Sequence, residues 1–166
     1  MTEPDAEAAA EALLSASRAL VAVAARSLAA AGEVTLPQFR ALVVLTGSVP
    51  VTVGDLAQAL DIHPSTATRM CDRLEHKRLV RRHPAVSPDR RETTINLTAR
   101  GRRLVERVTE RRRRDLSTIA AAMSPTDRQG AIDGLRSFAQ AAGELPALDP
   151  FAWAQSLDDT RSATDG

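Results

Sequence analysis

Eight residues carry side chains suited to holding nucleic acid, and they fall in two groups. Ser65, Thr66, Thr68, Arg69 and Arg73 lie in PSTATRMCDRLEHK, where Ala67, Met70, Cys71 and Leu74 recur at helical spacing and form an inward stripe. The five polar residues then occupy the other sides. Hydroxyls and guanidinium groups in the first turns of such a helix reach base edges in a major groove. Ser65, Thr66, Thr68 and Arg69 are therefore the candidates for base reading, and Arg73 for a phosphate. A surface ion pair of Arg69 or Arg73 with Asp72 or Glu75 is the competing reading. The second group, Asp89, Arg90 and Arg91, sits in PDRRE between two segments of strand-like alternation. Guanidinium groups at a ribbon tip suit the negative potential of a narrow minor groove, and Asp89 suits the orienting of a neighbouring arginine. Read alone, the loop is explained as well by a solvated turn.

The elements that must position these groups are legible around them. Thr52-Val53-Gly54-Asp55 has the form of a capping box, and Val53, Leu56, Ala57 and Leu60 give a short helix one apolar face. Asp61-Ile62-His63 makes a turn, and Pro64 suits the first position of the next helix, which runs to about Lys77. Two helices so joined let the first cross a DNA backbone while the second enters the major groove. Val80 and Arg82, then Thr93, Ile95 and Leu97, follow the period of two of half-buried strands, with Pro84, Pro88 and Asp89 between them. Residues 52–98 thus read as a winged helix-turn-helix, its wing a β-ribbon.

Long helices flank this unit. Residues 5–31 are Ala-rich without Gly or Pro, and Leu14, Val21 and Leu28 recur every seven residues beside Leu13 and Leu20. That repeat suits a nearly parallel partner helix, although packing within one chain would also use it. Gly32 supplies a stop. Thr35-Leu36-Pro37-Gln38 opens a second helix, with Phe39, Leu42 and Val43 at helical spacing, ending near Gly47. Thr98 caps a fifth helix whose interrupted stripe of Leu104, Val108, Leu116, Ile119 and Met123 implies a length of about 40 Å. Ser124-Pro125-Thr126-Asp127 combines a capping box with Pro at the first position, and Ile132, Leu135, Phe138 and Ala139 mark a sixth helix that stops by Gly143. The expected organisation is a helix over 1–35, the winged unit over 36–97, further helices over 98–142 and an acidic, partly flexible tail over 143–166. In that tail Asp149-Pro150 is expected to open a short helix that docks Phe151 and Trp153.

At 166 residues the chain is long enough for one full core. Aromatics at 2%, with no Tyr, favour Ala/Leu/Val helices over a β-sandwich, so the fold class is mainly α with a small β-wing. Residues 63–114 hold sixteen Lys/Arg against six Asp/Glu, net +10, while the remaining 6 basic and 15 acidic residues give −9. A basic centre between acidic ends is the footprint of a face laid on phosphates, or of a solvated charged surface. The acidic N-terminus lacks the pattern of a secretory signal, and no uninterrupted apolar run is judged to approach a membrane span, which points to the cytoplasm. The single Cys71 lies on the inward stripe and reads as core. His63, His76 and His83 lack metal-site spacing, and no phosphate loop or nucleophile motif is visible, so neither a metal, a cofactor nor an enzyme is expected.

The segments DIHPSTATRMCDRLEHKRLVRR and SPDRRETTINLTARG together resemble the MarR family of bacterial transcriptional regulators. Its phrases occur here as Arg73-Leu74-Glu75, Leu79-Val80-Arg81-Arg82, Asp89-Arg90-Arg91 and Leu97-Thr98-Ala99-Arg100-Gly101, and the resemblance covers roughly residues 5–142. It implies a homodimer built by the first, fifth and sixth helices, with two winged units on a palindromic double-stranded DNA operator. It also implies Arg91 at the minor-groove tip, Asp89 as its orienting partner, and a small aromatic or phenolic effector bound in a cleft between dimer helices and winged unit. Arg78 departs from the family, which usually has Gly there, and that puts the exit from the recognition helix in question. The function expected is a homodimeric, sequence-specific repressor relieved by a small molecule. The alternatives are a nucleoid-type binder without sequence preference, or a winged-helix scaffold for protein interaction.

Overall fold

The computed structural model describes residues 3–47, 51–84 and 93–143. In chain order these form α1 (Glu3–Ala31), α2 (Leu36–Val44), β1 (Val51–Thr52), α3 (Val53–Leu60), α4 (Pro64–His76), β2 (Val80–His83), β3 (Thr94–Leu97), α5 (Ala99–Ala121) and α6 (Pro125–Ala141). The expected winged helix-turn-helix between long helices is present, and α1 packs along α5.

Each helix from α2 onward starts where a side chain accepts a backbone N–H that the helix cannot satisfy. Thr35, Thr52, His63, Thr98 and Ser124 accept from Gln38, Asp55, Ser65, Gly101 and Asp127. The boxes at Thr35 and Thr52 are reciprocal. The Thr52 N–H, and then its hydroxyl, hold the Asp55 carboxyl below the usual carboxylate range. At Ser124 the box is only half formed: the hydroxyl accepts the Asp127 N–H at 3.1 Å and donates to the Asp127 carboxylate at 2.6 Å.

Leu42, Leu56, Leu74, Leu79, Ile95 and Leu104 are fully buried and draw α2, α3, α4, the sheet and α5 onto one core. Several apolar residues do not join it. Val43 lies outside the buried face of α2, which consists of Gln38, Phe39, Ala41 and Leu42. α5 ends two residues short of Met123, at about 35 Å, and its Ile119 is exposed. The seven-residue stripe of α1 divides: Leu28 is buried beside Val23, Ala24 and Ser27, whereas Leu14 and Val21 are 55% and 58% exposed. Asp5–Ala31 is long and apolar enough to cross a membrane by length and composition, although Arg18 and Arg26 interrupt its apolar run. Its C-terminal third packs into the core, where Val23, Ala24, Ser27 and Leu28 are buried.

The wing is a three-stranded antiparallel sheet in the order β1-β3-β2, not a two-stranded ribbon. Ile95 sits between Val51 and Arg82, and Val80 pairs with Leu97. The two residues of β1 escape the alternation argument because a period cannot be read from so short a segment.

Recognition helix, wing and long helix meet at one point. Lys77 caps α4, Arg78 takes a left-handed φ of 57°, and the chain closes a Schellman motif with Arg78 N–H on Glu75 C=O at 2.8 Å and Leu79 N–H on Leu74 C=O at 3.0 Å. Thr98 then donates its N–H to Leu79 C=O at 3.0 Å and its hydroxyl to Arg78 C=O at 2.8 Å. Gly101 lies directly against the Leu79 carbonyl, where an added methyl would overlap the oxygen. Arg78 therefore keeps the exit geometry that glycine would give, held by its neighbours against the steric cost. Arg78→Gly should raise stability by about 1 kcal/mol and Gly101→Ala should lower it by about 2 kcal/mol, read as opposite shifts of the denaturant midpoint at fixed protein concentration. Equal midpoints for all three proteins would show that this junction carries no strain.

Candidate nucleic-acid interface

α4 buries Ala67, Cys71 and Leu74, with Met70 half-buried, so its opposite side is set by the core. Ser65, Thr66, Thr68, Arg69 and Arg73 are all exposed on that helix, as expected. Asp89, Arg90 and Arg91 lie outside the described residues. The α3–α4 turn is tight because Asp61 adopts a left-handed φ of 53° at the end of α3, and Ile62 N–H reaches back to Ala57 C=O at 3.0 Å.

Four contacts orient the first turns of α4. His63 Nδ1 accepts the Ser65 N–H at 3.2 Å and also lies 2.9 Å from Ser65 Oγ. The Thr68 hydroxyl donates to Pro64 C=O at 3.0 Å, and Arg69 Nε donates to Ser65 C=O at 3.2 Å. Arg69 thus lies back along its own helix and is exposed.

Asp72 and Glu75 are partnered, but not by Arg69 or Arg73. Arg82 on β2 forks between them, Nη2 to Asp72 Oδ1 at 2.6 Å and Nη1 to Glu75 Oε2 at 3.2 Å, while its N–H reaches Glu75 Oε1 at 3.3 Å. Hydrogen bonding to Asp72 raises the Arg82 pKa further, so this fork stays charged. It has two consequences: it fastens wing to recognition helix, and it balances the only acids on a helix otherwise suited to a polyanion. Helical spacing within α4 could not show this, because the partner lies on another element.

The C-terminal end of α4 is tied in the other direction. Lys77 Nζ donates to Glu33 C=O at 2.6 Å and to Gln38 Oε1 at 3.3 Å, and the Glu33 carboxylate pairs with Arg100 at 2.8 Å and Arg107 at 3.1 Å. The α1–α2 loop is thereby joined to both recognition helix and α5. Cys71 is fully buried and burial pushes its thiol pKa up, which disfavours the reactive thiolate. Among the described residues no cluster of three or more His, Cys, Asp or Glu could hold a metal ion.

Residues 33–92 match the MarR family profile, a span that takes in α2, β1, the helix-turn-helix and β2 but ends before β3. The crystal structure of RV1404 from Mycobacterium tuberculosis is 41% identical, with a TM-score of 0.77 over 87% of this chain and 99% of that one. The chain belongs to the MarR family. A MarR family protein from Bacillus stearothermophilus is similar at 28% identity and a TM-score of 0.75, covering 86% of this chain and 99% of that one. YfiV of Bacillus subtilis (strain 168), an HTH-type transcriptional regulator, is 26% identical over 66% of this chain and 68% of its own length. This MarR protein is a DNA-binding transcriptional regulator, and the family profile spans its helix-turn-helix, α3 and α4, whole.

Replacing Arg82 by Met, which keeps the aliphatic stem, leaves two carboxylates unbalanced beside the recognition face. DNA affinity should fall by about tenfold at low salt, with the deficit shrinking as ionic strength rises. Adding Asp72→Asn should recover part of it. Affinities that match wild type at low salt would mean that the fork does not shape the field at the interface.

Proposed function

We propose that two copies of this chain form a homodimer that places α4 of each in successive major grooves of a palindromic operator, with the 85–92 loop entering the flanking minor grooves. The observation that carries this reading is the exposed row of Ser65, Thr66, Thr68, Arg69 and Arg73 on a helix whose acids are held by Arg82. Ser65, Thr66, Thr68 and Arg69 read bases, Arg73 and Arg90 contact phosphates, and Arg91, oriented by Asp89, occupies the minor groove. The fold is shared with Staphylococcus aureus MepR, of which a mutant is bound to an oligodeoxyribonucleotide; the likeness is one of fold, at 22% identity and a TM-score of 0.60 over 80% of this chain and 96% of that one. Binding DNA to regulate transcription supports a location in the cytoplasm.

The dimer reading is supported by apolar surface that one chain leaves open. α6 has no buried residue, and its Ile132, Leu135 and Phe138 are 39%, 46% and 49% exposed. Leu14 and Val21 of α1 are exposed as well, and apolar side chains left open on two helices are what a helical interface would cover. Residues 1–35 and 98–142 then act as dimerisation frame and 36–97 as reader. Repression relieved by a small aromatic or phenolic effector is supported by a groove of about 480 Å³ lined by Leu28, Ala29, Val34, Leu36 and Lys77. Because Lys77 also caps α4, a ligand filling the groove would bear on the recognition helix.

Arg91→Ala should weaken operator binding without lowering the unfolding midpoint. Arg69→Ala should relax base preference at one position by on the order of 1–3 kcal/mol, whereas an equal loss on all sequences would reassign Arg69 to phosphate. Phe138→Glu with Leu135→Glu should convert a dimer to a monomer in light scattering. A wild-type monomer, or a protein that binds random DNA as tightly as its own promoter, would refute the reading.

A further inference from the structure

In the first two turns of α4, two hydroxyl hydrogens are already committed inside the protein. A backbone N–H can only donate, and the Ser65 N–H lies 3.2 Å from His63 Nδ1, so that nitrogen carries its lone pair and the ring proton sits on Nε2. The same Nδ1 is 2.9 Å from Ser65 Oγ, and with Nδ1 an acceptor this contact has the hydroxyl donating. Ser65 is left with lone pairs alone to offer outward. One turn later the Thr68 hydroxyl donates to Pro64 C=O at 3.0 Å and is left the same way. Arg69 contributes the opposite polarity: its Nε donates to Ser65 C=O, and a guanidinium has only donors to offer.

We propose that His63 sets the hydrogen-bond polarity of the recognition helix, holding Ser65 as an acceptor that reads a base amine, with Thr68 presenting the same polarity a turn later. This rests on the placement of α4 in the major groove proposed above. In that groove the amines are N6 of adenine and N4 of cytosine, whereas guanine, thymine and phosphate oxygens offer only acceptors to a hydroxyl. Ser65 therefore discriminates adenine or cytosine from guanine or thymine on one strand and does not hold a phosphate. A serine hydroxyl without such a partner rotates and serves both classes. His63 is a positioning residue, acting on the base through Ser65.

The test is selection of bound operators from a randomised duplex pool by wild type, Ser65→Ala, His63→Ala and His63→Asn. Wild type should restrict one position per half-site to adenine or cytosine by about fivefold, and Ser65→Ala should lose that restriction. His63→Ala should reduce it below about twofold, because the freed hydroxyl also donates to keto groups. His63→Asn should restore it, since its carbonyl oxygen caps the helix and accepts the same two donors. Far-UV circular dichroism checks that α4 is folded in each protein. Guanine or thymine at that position in wild type overturns the inference while leaving α4 as the reader. So does an undiminished restriction in His63→Ala, or a folded His63→Asn protein that selects like His63→Ala. An operator from Ser65→Ala identical to that of wild type overturns the placement of Ser65 in the groove, and the inference with it.

Discussion

The structure depends on the contact between Gly101 and the Leu79 carbonyl. At this point the last turn of α4, the residue just before β2 and the first turn of α5 share one set of backbone partners. Leu79 donates to Leu74, accepts from Thr98, and leaves no room for a side chain at position 101. A recognition helix reads sequence only if its angle to the rest of the protein is fixed, and here that angle is set by backbone hydrogen bonds. Arg78 belongs to the same constraint. Its left-handed φ is one that a free arginine avoids, and it persists because bonds on both sides, to Glu75 and from Thr98, leave the chain no other path.

Around this junction, charge and polarity are arranged in layers. Arg82 balances Asp72 and Glu75 and ties the wing to α4, Lys77 ties the other end of α4 to the α1–α2 loop, and Glu33 in that loop is held by Arg100 and Arg107 of α5. Most of these groups are partly exposed, so each pair contributes little alone. Their value is geometric: recognition helix, wing, loop and long helix cannot move independently. In the proposed dimer the same network carries any shift at the groove beside Lys77 to the reading face.

Much of this was legible in the sequence, and the boundary follows the range of the interactions. The boxes at Thr35 and Thr52, the cap at Thr98 and the stripe of Ala67, Cys71 and Leu74 are local, spanning at most two helical turns, and they stand where the residue pattern puts them. The Arg82 fork joins residues ten and seven apart on different elements, and the Lys77 tie reaches back to Glu33. Helical spacing instead nominated Arg69 and Arg73 as partners for the acids. His63 was read as a turn residue and a failed metal ligand, because its role as cap depends on a ring orientation that composition does not specify. β1 was missed for its brevity, and the spacing that places Val43 in α2 does not show that the helix turns Ala41 rather than Val43 toward the core.

The central claim is that a rigid junction holds two recognition helices at a spacing set by the dimer frame. Footprinting of the selected operator, followed by insertion of five base pairs between its half-sites, tests it most directly. The account predicts two protected half-sites centred about 10 base pairs apart, and loss of tight binding when half a helical turn is inserted. Unchanged affinity and unchanged protection of both half-sites after the insertion would contradict it.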